Sequence, residues 1–349
     1  MPPALLLLLA ALAPMGSTPA RVVFDTDSGF FADDGQALVM LARSPARVSI
    51  EAVTVVSGNV WAPQGVEYTL HILKLLGKPG IPLHAGAAAP LVHTPAMADA
   101  EAARWGPLEF RGAFADPFPA SRSMLEAPFG GKFSGLVPQG RNAVDYLIDA
   151  IERHPGRLTI LALGPMTNLA MALRLRPGIA GQIGQLVFMG GNERVPGNAS
   201  RAAEFNFWFD PEAASIVLRS AIPRKVMFGL DICNQAVLTR REFDQIVAVR
   251  SPVTELYRED MGNRYPAFLK NPRAIGYMWD TVTAAWLIDP AVVTARETAY
   301  LDVDTRFGAG YGATIPLDRK LAPAATPVEV MLKLDFPRVF ALYKNLLAR

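Results

Sequence analysis

Four aspartates fall between positions 25 and 34, in the stretch FDTDSGFFADDGQAL (24–38). Two ionised carboxylates about 4 Å apart repel by roughly 4 kcal/mol at an effective dielectric near 20. The positive end of a helix dipole returns only about 0.3–1 kcal/mol at an exposed site. If these acids converge, a cation or a shared proton is the natural solution. Hard oxygens with no His or Cys nearby select Ca²⁺ or Mg²⁺ over zinc. The plainer alternative is that Asp33 caps a helix while the others face solvent. One acidic pair closes an apolar run and the other opens the next helical stretch, an arrangement that favours a metal site.

The elements around these acids alternate. RVVFDTD (21–27) is an apolar run ending in acids, a buried strand with its C-terminal loop. DDGQALVMLARSP (33–45) reads as a helix with acids at its start and Pro45 past its end. VSIEAVTVVSGN (48–59), RLTILAL (157–163), QLVFMGG (185–191) and RKVMFGLD (224–231) read as strands. Helices are expected at 68–76, from Asn142, and over 166–175, 210–220, 279–288 and 336–347. Between Pro90 and Pro138 seven prolines occur without clear periodicity, as in a binding loop or lid.

Such alternation predicts an α/β fold: an open, mostly parallel sheet with helices on both faces. Ligands in these folds bind beyond the carboxyl ends of the strands. Asp25, Asp27, Asn59, the turn after Leu163, the loop after Met189 and Asp231 all fall at such ends.

Of the 349 residues 51% are hydrophobic and 19% charged, and the net charge is +2. Lys and Arg are scattered, without the clustered basic stripe of a nucleic-acid binder. The apolar run ALLLLLAALA (4–13) is too short to span a bilayer and precedes the small residues GSTPA. Residues 1–20 are therefore expected to be a signal peptide, leaving 21–349 as a single domain, periplasmic or secreted, with no membrane association after cleavage. Cys233 is the only cysteine, so neither an intrachain disulfide nor a cysteine metal site is available.

Two resemblances compete for the acidic stretch. DTDSG after an apolar strand resembles the haloacid-dehalogenase phosphotransferase signature, but Gly29 stands where that signature has Thr or Val, and no Lys suited to phosphate is evident. The wider resemblance is to the inosine–uridine preferring nucleoside hydrolase family. It runs through FDTDSGFFADDGQAL, with two extra residues before the paired acids. VTVVSGNV (53–60), LALGPMTNLAMAL (161–173), FMGGNERVPGNASRAAEFNFWFDPEAA (188–214) and YMWDTVTAAWLIDP (277–290) follow in register.

That resemblance implies an open α/β fold, a tightly bound Ca²⁺, hydrolysis of the N-glycosidic bond of ribonucleosides, and a homodimer or homotetramer. It assigns Asp27, Asp34, Asp280 and the backbone carbonyl of Leu163 to the metal, Asp33 to the general base and Asp25 to support behind them. Asn59, Asn198, Glu204 and Asn206 would hold the ribose hydroxyls, with Met189 near the sugar. On local grounds alone, Glu204 and Asn206 could instead be the exposed face of a strand, and Asn198 a turn residue.

The chain departs from the family pattern at one place. A His commonly precedes the last calcium-binding Asp and protonates the leaving base; here Trp279 stands there, and none of the histidines at 71, 84, 93 and 154 replaces it. Trp105 stands where the family often has His before Gly. Both changes resemble the purine-specific subgroup, whose two tryptophans sandwich the base. A general acid supplies about 10²–10⁴-fold, neutral stacking about 0.5–1.5 kcal/mol, and a protonated ring between indoles about 2 kcal/mol or more when desolvated. Purines, with a basic N7 and a large face, are the expected substrates. Trp286 is expected in the core. The competing classes are a nucleoside- or ribose-binding protein without turnover, and the phosphatase.

Overall fold

The computed structural model describes residues 18–29, 31–320 and 322–347; most of the expected signal peptide lies outside them. The strands are β1 (Ala20–Thr26), β2 (Val48–Val55), β3 (Leu83–Ala85), β4 (Leu158–Ala162), β5 (Gln185–Met189), β6 (Lys225–Phe228), β7 (Val237–Thr239), β8 (Ile275–Tyr277), β9 (Val293–Val303), β10 (Thr314–Pro316) and β11 (Pro327–Leu334). Nine form one sheet in the order β10-β9-β11-β6-β5-β4-β1-β2-β3, and β7 pairs with β8 in a separate ribbon.

The central sheet is mostly parallel, as the alternation predicts. Only β9 runs against its neighbours, antiparallel to both β10 and β11. Its alternating burial marks a strand with one face toward solvent. This C-terminal part of the sheet was not foreseen from the sequence.

Side-chain alternation along the buried strands divides the core into two layers. Val22 and Phe24 pack on one face, with the Gln36–Ala42, Trp279–Ile288 and Phe336–Leu347 helices. Val23, on the opposite face, packs with the Ala143–Arg153, Thr167–Leu175 and Pro211–Arg219 helices. Trp286 is buried in the first layer against Phe228, as expected. Among the described residues no helix is long and apolar enough to cross a membrane.

The strand order positions the site. From β1 the chain moves outward to β2 and β3, then returns to place β4 on the other side of β1. The carboxyl ends of β1 and β4 therefore flank a topological switch point, where loops diverge and leave a crevice. Asp25 and Asp27 lie at the end of β1, and Leu163 just past β4.

Two local features differ from the sequence expectation. The helix expected from Asp33 opens instead with a π-helical turn, Phe31–Gly35, and becomes α-helical only at Gln36. The proline-rich stretch also holds a helix, Pro95–Trp105, whose N-terminus Thr94 caps by accepting the Met97 N–H at 3.2 Å.

Candidate active site

A cavity of about 350 Å³ opens at the switch point. Its polar lining comes from Asp33, Asn59, Leu163, Asn198, Glu204, Asn206 and Asp280, with Met189 among them. Its apolar lining comes from Leu238, Tyr257, Met261, Tyr265, Phe268, Ile275, Tyr277 and Trp279, with Phe110 and Phe205. Residues from five of the sequence blocks thus converge, although they are spread from position 33 to 280.

Asp27 and Asp34 are only 1% exposed and lie behind this lining. Asn59 links them to it: its backbone N–H donates to Asp27 Oδ2 at 2.7 Å, and its amide reaches Asp27 Oδ1 at 3.3 Å and Asp34 Oδ2 at 3.5 Å. Thr26 Oγ1 donates to Asp34 Oδ1. Two glycines make room for Asp27. A Cβ on Gly58 would lie 2.0 Å from Asp27 Oδ2, and one on Gly164 2.8 Å from the Asp27 side chain.

The carboxylates share one electrostatic problem. Burial, then repulsion from Asp34, holds Asp27 and Asp33 well above the ordinary carboxylate range. Asp280 is raised by burial and then by Asp33, Asp34 and Asp27. Asp34 is pushed up to about 6, chiefly by burial. Among the described residues, the chief influences on these groups are burial, one another and hydrogen bonds, with no Lys, Arg or His among them.

Such a set of hard, buried and uncompensated oxygens fits a Ca²⁺-type cation by donor chemistry. The Leu163 carbonyl, accepting the Asn206 amide at 2.7 Å, adds a neutral oxygen. Among the described residues, however, no three His, Cys, Asp or Glu groups form a ready-made metal shell. Asp33 and Asp280 line the cavity while Asp27 and Asp34 stand behind Asn59, so a cation would have to draw the acids together.

Asp25 does not touch the other acids. It is fully buried, accepting Thr54 Oγ1 at 2.5 Å and the Asn168 amide at 2.8 Å. It joins β1 to β2 and to the Thr167–Leu175 helix.

The sugar-side residues are held by backbone rather than displayed on a strand. Glu204 caps the short Phe205–Phe209 helix, accepting the N–H groups of Asn206 at 2.8 Å, Phe207 at 3.1 Å and Gly191 at 2.8 Å. Burial raises its carboxyl to about 7, against the pull of those donors. Asn206 donates to the carbonyls of Leu163 and Met189. Asn198 Oδ1 accepts the Phe205 N–H at 2.8 Å. The strand-face alternative for Glu204 and Asn206 is thereby overturned.

Trp279 lies at the cavity wall. Its Nε1–H donates to Asn234 Oδ1 at 3.0 Å, and Tyr277 stacks on it with ring centroids 5.4 Å apart and planes 10° from parallel. Residues two apart in an extended segment share a face, which brings these rings together. Trp105 is not brought to the cavity. Gly106, at φ 110°, ends its helix, and the indole is 39% exposed against Phe307. The expected two-tryptophan sandwich is therefore not formed in this structure. Tyr257 and Met261 on the Pro252–Arg264 helix, Tyr265 just past its end and Phe268 on the Pro266–Lys270 helix complete the apolar wall and were missed from the sequence. Their only signal was an aromatic and Met pattern indistinguishable from core.

The sequence model of the inosine-uridine preferring nucleoside hydrolase family matches residues 22–341. The chain belongs to that family. It is accordingly a hydrolase acting on N-glycosyl bonds of ribonucleosides.

It is 30% identical over 321 residues to the pyrimidine-specific ribonucleoside hydrolase RihB of Escherichia coli, with 90% of this chain and 94% of that one covered. Among solved structures it resembles a plant nucleoside hydrolase at 26% identity and TM-score 0.73, covering 95% of this chain and 99% of that one. It also resembles a purine-preferring ribonucleoside hydrolase from Gardnerella vaginalis at 25% identity and TM-score 0.73, covering 94% and 98%. An inosine-guanosine nucleoside hydrolase matches at 25% and 0.74, with the same coverage. The names of these relatives divide between pyrimidine and purine substrates, so the likeness that Trp279 suggests to one subgroup does not follow from the matches.

Proposed function

We propose that this nucleoside hydrolase cleaves purine ribonucleosides to ribose and free base, with Asp33 as general base at a site that takes a Ca²⁺-type cation. The observation that carries the purine reading is the division of the cavity. Carboxylates and amides line part of it, a mostly aromatic wall that includes Trp279 lines the rest, and among the described residues no Lys, Arg or His lines it.

Asp33 removes the proton from a water attacking the anomeric carbon. Asp27, Asp34, Asp280 and the Leu163 carbonyl would hold the cation, which when bound lowers the pKa of a coordinated water. Asn59, Asn198, Glu204 and Asn206 orient the ribose hydroxyls, and the surrounding oxygens favour the positive charge of an oxocarbenium-like transition state. With no His among the described lining residues to protonate the leaving group, the base leaves after taking its proton from solvent while stacked on Trp279. A purine, with its basic N7 and larger face, is better suited to that than uracil. The absence of Lys among the described lining residues disfavours the phosphatase reading, and Asp33 disfavours binding without turnover. The export signal in residues 1–20 and a homodimer or homotetramer belong to the same proposal.

A second reading is pyrimidine preference, favoured by the name of the Escherichia coli relative. A panel of inosine, adenosine, guanosine, uridine and cytidine tests both. The proposal predicts kcat/KM for inosine at least tenfold above uridine. Equal values, or a uridine preference, overturn the purine assignment.

A further inference from the structure

We infer that Asn234 is a positioning residue that sets the plane of the Trp279 indole; its consequence for turnover rests on the reading of that indole as the surface on which the leaving base stacks. A tryptophan side chain turns about two bonds, so it offers a fixed stacking plane only where both its edge and its face are held. The edge is held by Asn234. An indole N–H donates and never accepts, so the Asn234 atom that meets Trp279 Nε1 at 3.0 Å is the amide oxygen, Oδ1. One face is held by Tyr277, whose ring lies 10° from parallel with it.

The Asn234 oxygen is aimed by backbone that the central sheet fixes from two sides. Asn234 follows the short Leu230–Cys233 helix, and its own N–H donates to the Leu230 carbonyl at 3.0 Å. The Leu230 N–H donates in turn to the carbonyl of Gly191, just past β5, at 2.9 Å. On the other side the Gln235 amide donates to the Leu332 carbonyl at 2.7 Å and accepts the Leu334 N–H at 3.0 Å, both on β11. The Met278 N–H then donates to the Ala236 carbonyl at 3.0 Å, and Val237 pairs with Tyr277 in the β7–β8 ribbon. The segment 234–237 therefore holds the Trp279 indole, Met278 and Tyr277 in turn.

Asn234 is not part of the cavity lining, so its effect on turnover must pass through the indole. With its N–H taken up by Asn234, the indole meets a base through its π face and not by donating to a ring nitrogen or carbonyl. Such a face responds to the size and charge of the ring laid on it. A loosened indole should therefore cost a purine more than uracil.

The test is a double-mutant cycle between Asn234→Leu, close to Asn in shape but without an acceptor, and Trp279→Phe, which has no N–H to donate. In the wild-type background Asn234→Leu is expected to lower kcat/KM for inosine by about 3–10-fold, the scale of one neutral hydrogen bond, and for uridine by less. In the Trp279→Phe background it should cost less than about twofold. The indole N–H resonance of Trp279 in an isotope-labelled chain, identified by its loss in Trp279→Phe, should move upfield in Asn234→Leu. If Asn234→Leu fails to fold, Asn234→Ala, which also withdraws the oxygen, takes its place. Equal losses in both backgrounds overturn the proposal, as does an unmoved resonance, or a moved resonance with wild-type kcat/KM. If uridine proves the better substrate, the purine reading fails by itself, and the same cycle on uridine decides whether Asn234 sets the indole. If no ribonucleoside is cleaved, the resonance alone decides it.

Discussion

Asp33 and Asp280, 247 positions apart, are joined by a 2.9 Å hydrogen bond from the Asp280 N–H to Asp33 Oδ1. The first turn of the Trp279–Ile288 helix thus aims a backbone donor at the proposed base, carries an acid beside it, and starts with the indole on the cavity wall. A shift of this one helix start would disturb the acid cluster and the base-binding wall together.

Trp279→Ala is expected to lower kcat/KM for inosine by about tenfold or more, because it removes the ring on which the leaving base stacks. Trp279→Phe should retain part of the rate, and uridine should be affected less than inosine. Equal losses for both nucleosides would mean that Trp279 shapes the cavity without selecting the base.

Metal dependence is testable without turnover. A ligand at 100 times its Kd stabilises the fold by about 2.7 kcal/mol, which for a chain of this size raises Tm by roughly 4 °C. Calorimetry should show that rise with Ca²⁺ added to chelator-treated protein. No rise with Ca²⁺ or Mg²⁺ would remove the cation from the account.

Gly58→Ala should displace Asp27, since the new Cβ would lie 2.0 Å from Asp27 Oδ2. Overpacking of this kind costs about 1–3 kcal/mol, and the Ca²⁺-dependent rise in Tm should shrink or vanish. Gly80→Ala, with nothing within 4 Å of its Cβ, is the control and should behave as wild type. A Gly58→Ala chain with a full Ca²⁺ response would show that Asp27 is not a ligand.

His93 gives a pH prediction away from the acids. Burial lowers its pKa from 6.5 to about 4, and its Nδ1 meets the Trp208 carbonyl at 2.9 Å. The folded chain keeps the ring neutral while the unfolded chain takes up a proton below pH 6.5. His93 therefore costs stability as pH falls from 6.5 to about 4, by about 1.4 kcal/mol per unit. Asp210, raised to about 6 by burial, acts in the opposite sense, since the fold takes up its proton first. His93→Gln should be less stable than wild type at pH 7, with the gap narrowing steadily down to pH 5. A gap independent of pH would contradict this.

Much of the fold could be read from periodicity, because buried parallel strands and their helices are apolar in runs that single out their type. RVVFDTD, RLTILAL and QLVFMGG became β1, β4 and β5 within a residue or two, and the helix over 279–288 has the expected bounds. The Pro95–Trp105 helix escaped because only Ala98 and Glu101 are buried on it, so no apolar stripe marks it. The π-helical turn escaped because its five residues, Phe31–Gly35, are too few to show a period of their own. The sugar-side residues of the site were reached through the family resemblance, since on local grounds Glu204 and Asn206 read as a strand face and Asn198 as a turn residue. Trp105 was misplaced because the path of an irregular segment decides where its side chain goes, and Tyr257 and Tyr265 were missed because cavity-lining and core aromatics look alike in sequence.

The central claim is that Asp33 drives hydrolysis of an N-ribosidic bond. Its most direct test is ribose release from inosine by the wild-type chain and by Asp33→Ala, each with Ca²⁺ present. The account predicts ribose and hypoxanthine in equal amounts from wild type, and a fall of about 10²–10⁴-fold in kcat for Asp33→Ala with the fold retained. Wild-type rates from Asp33→Ala, or no ribose from the intact chain with any ribonucleoside, would contradict it.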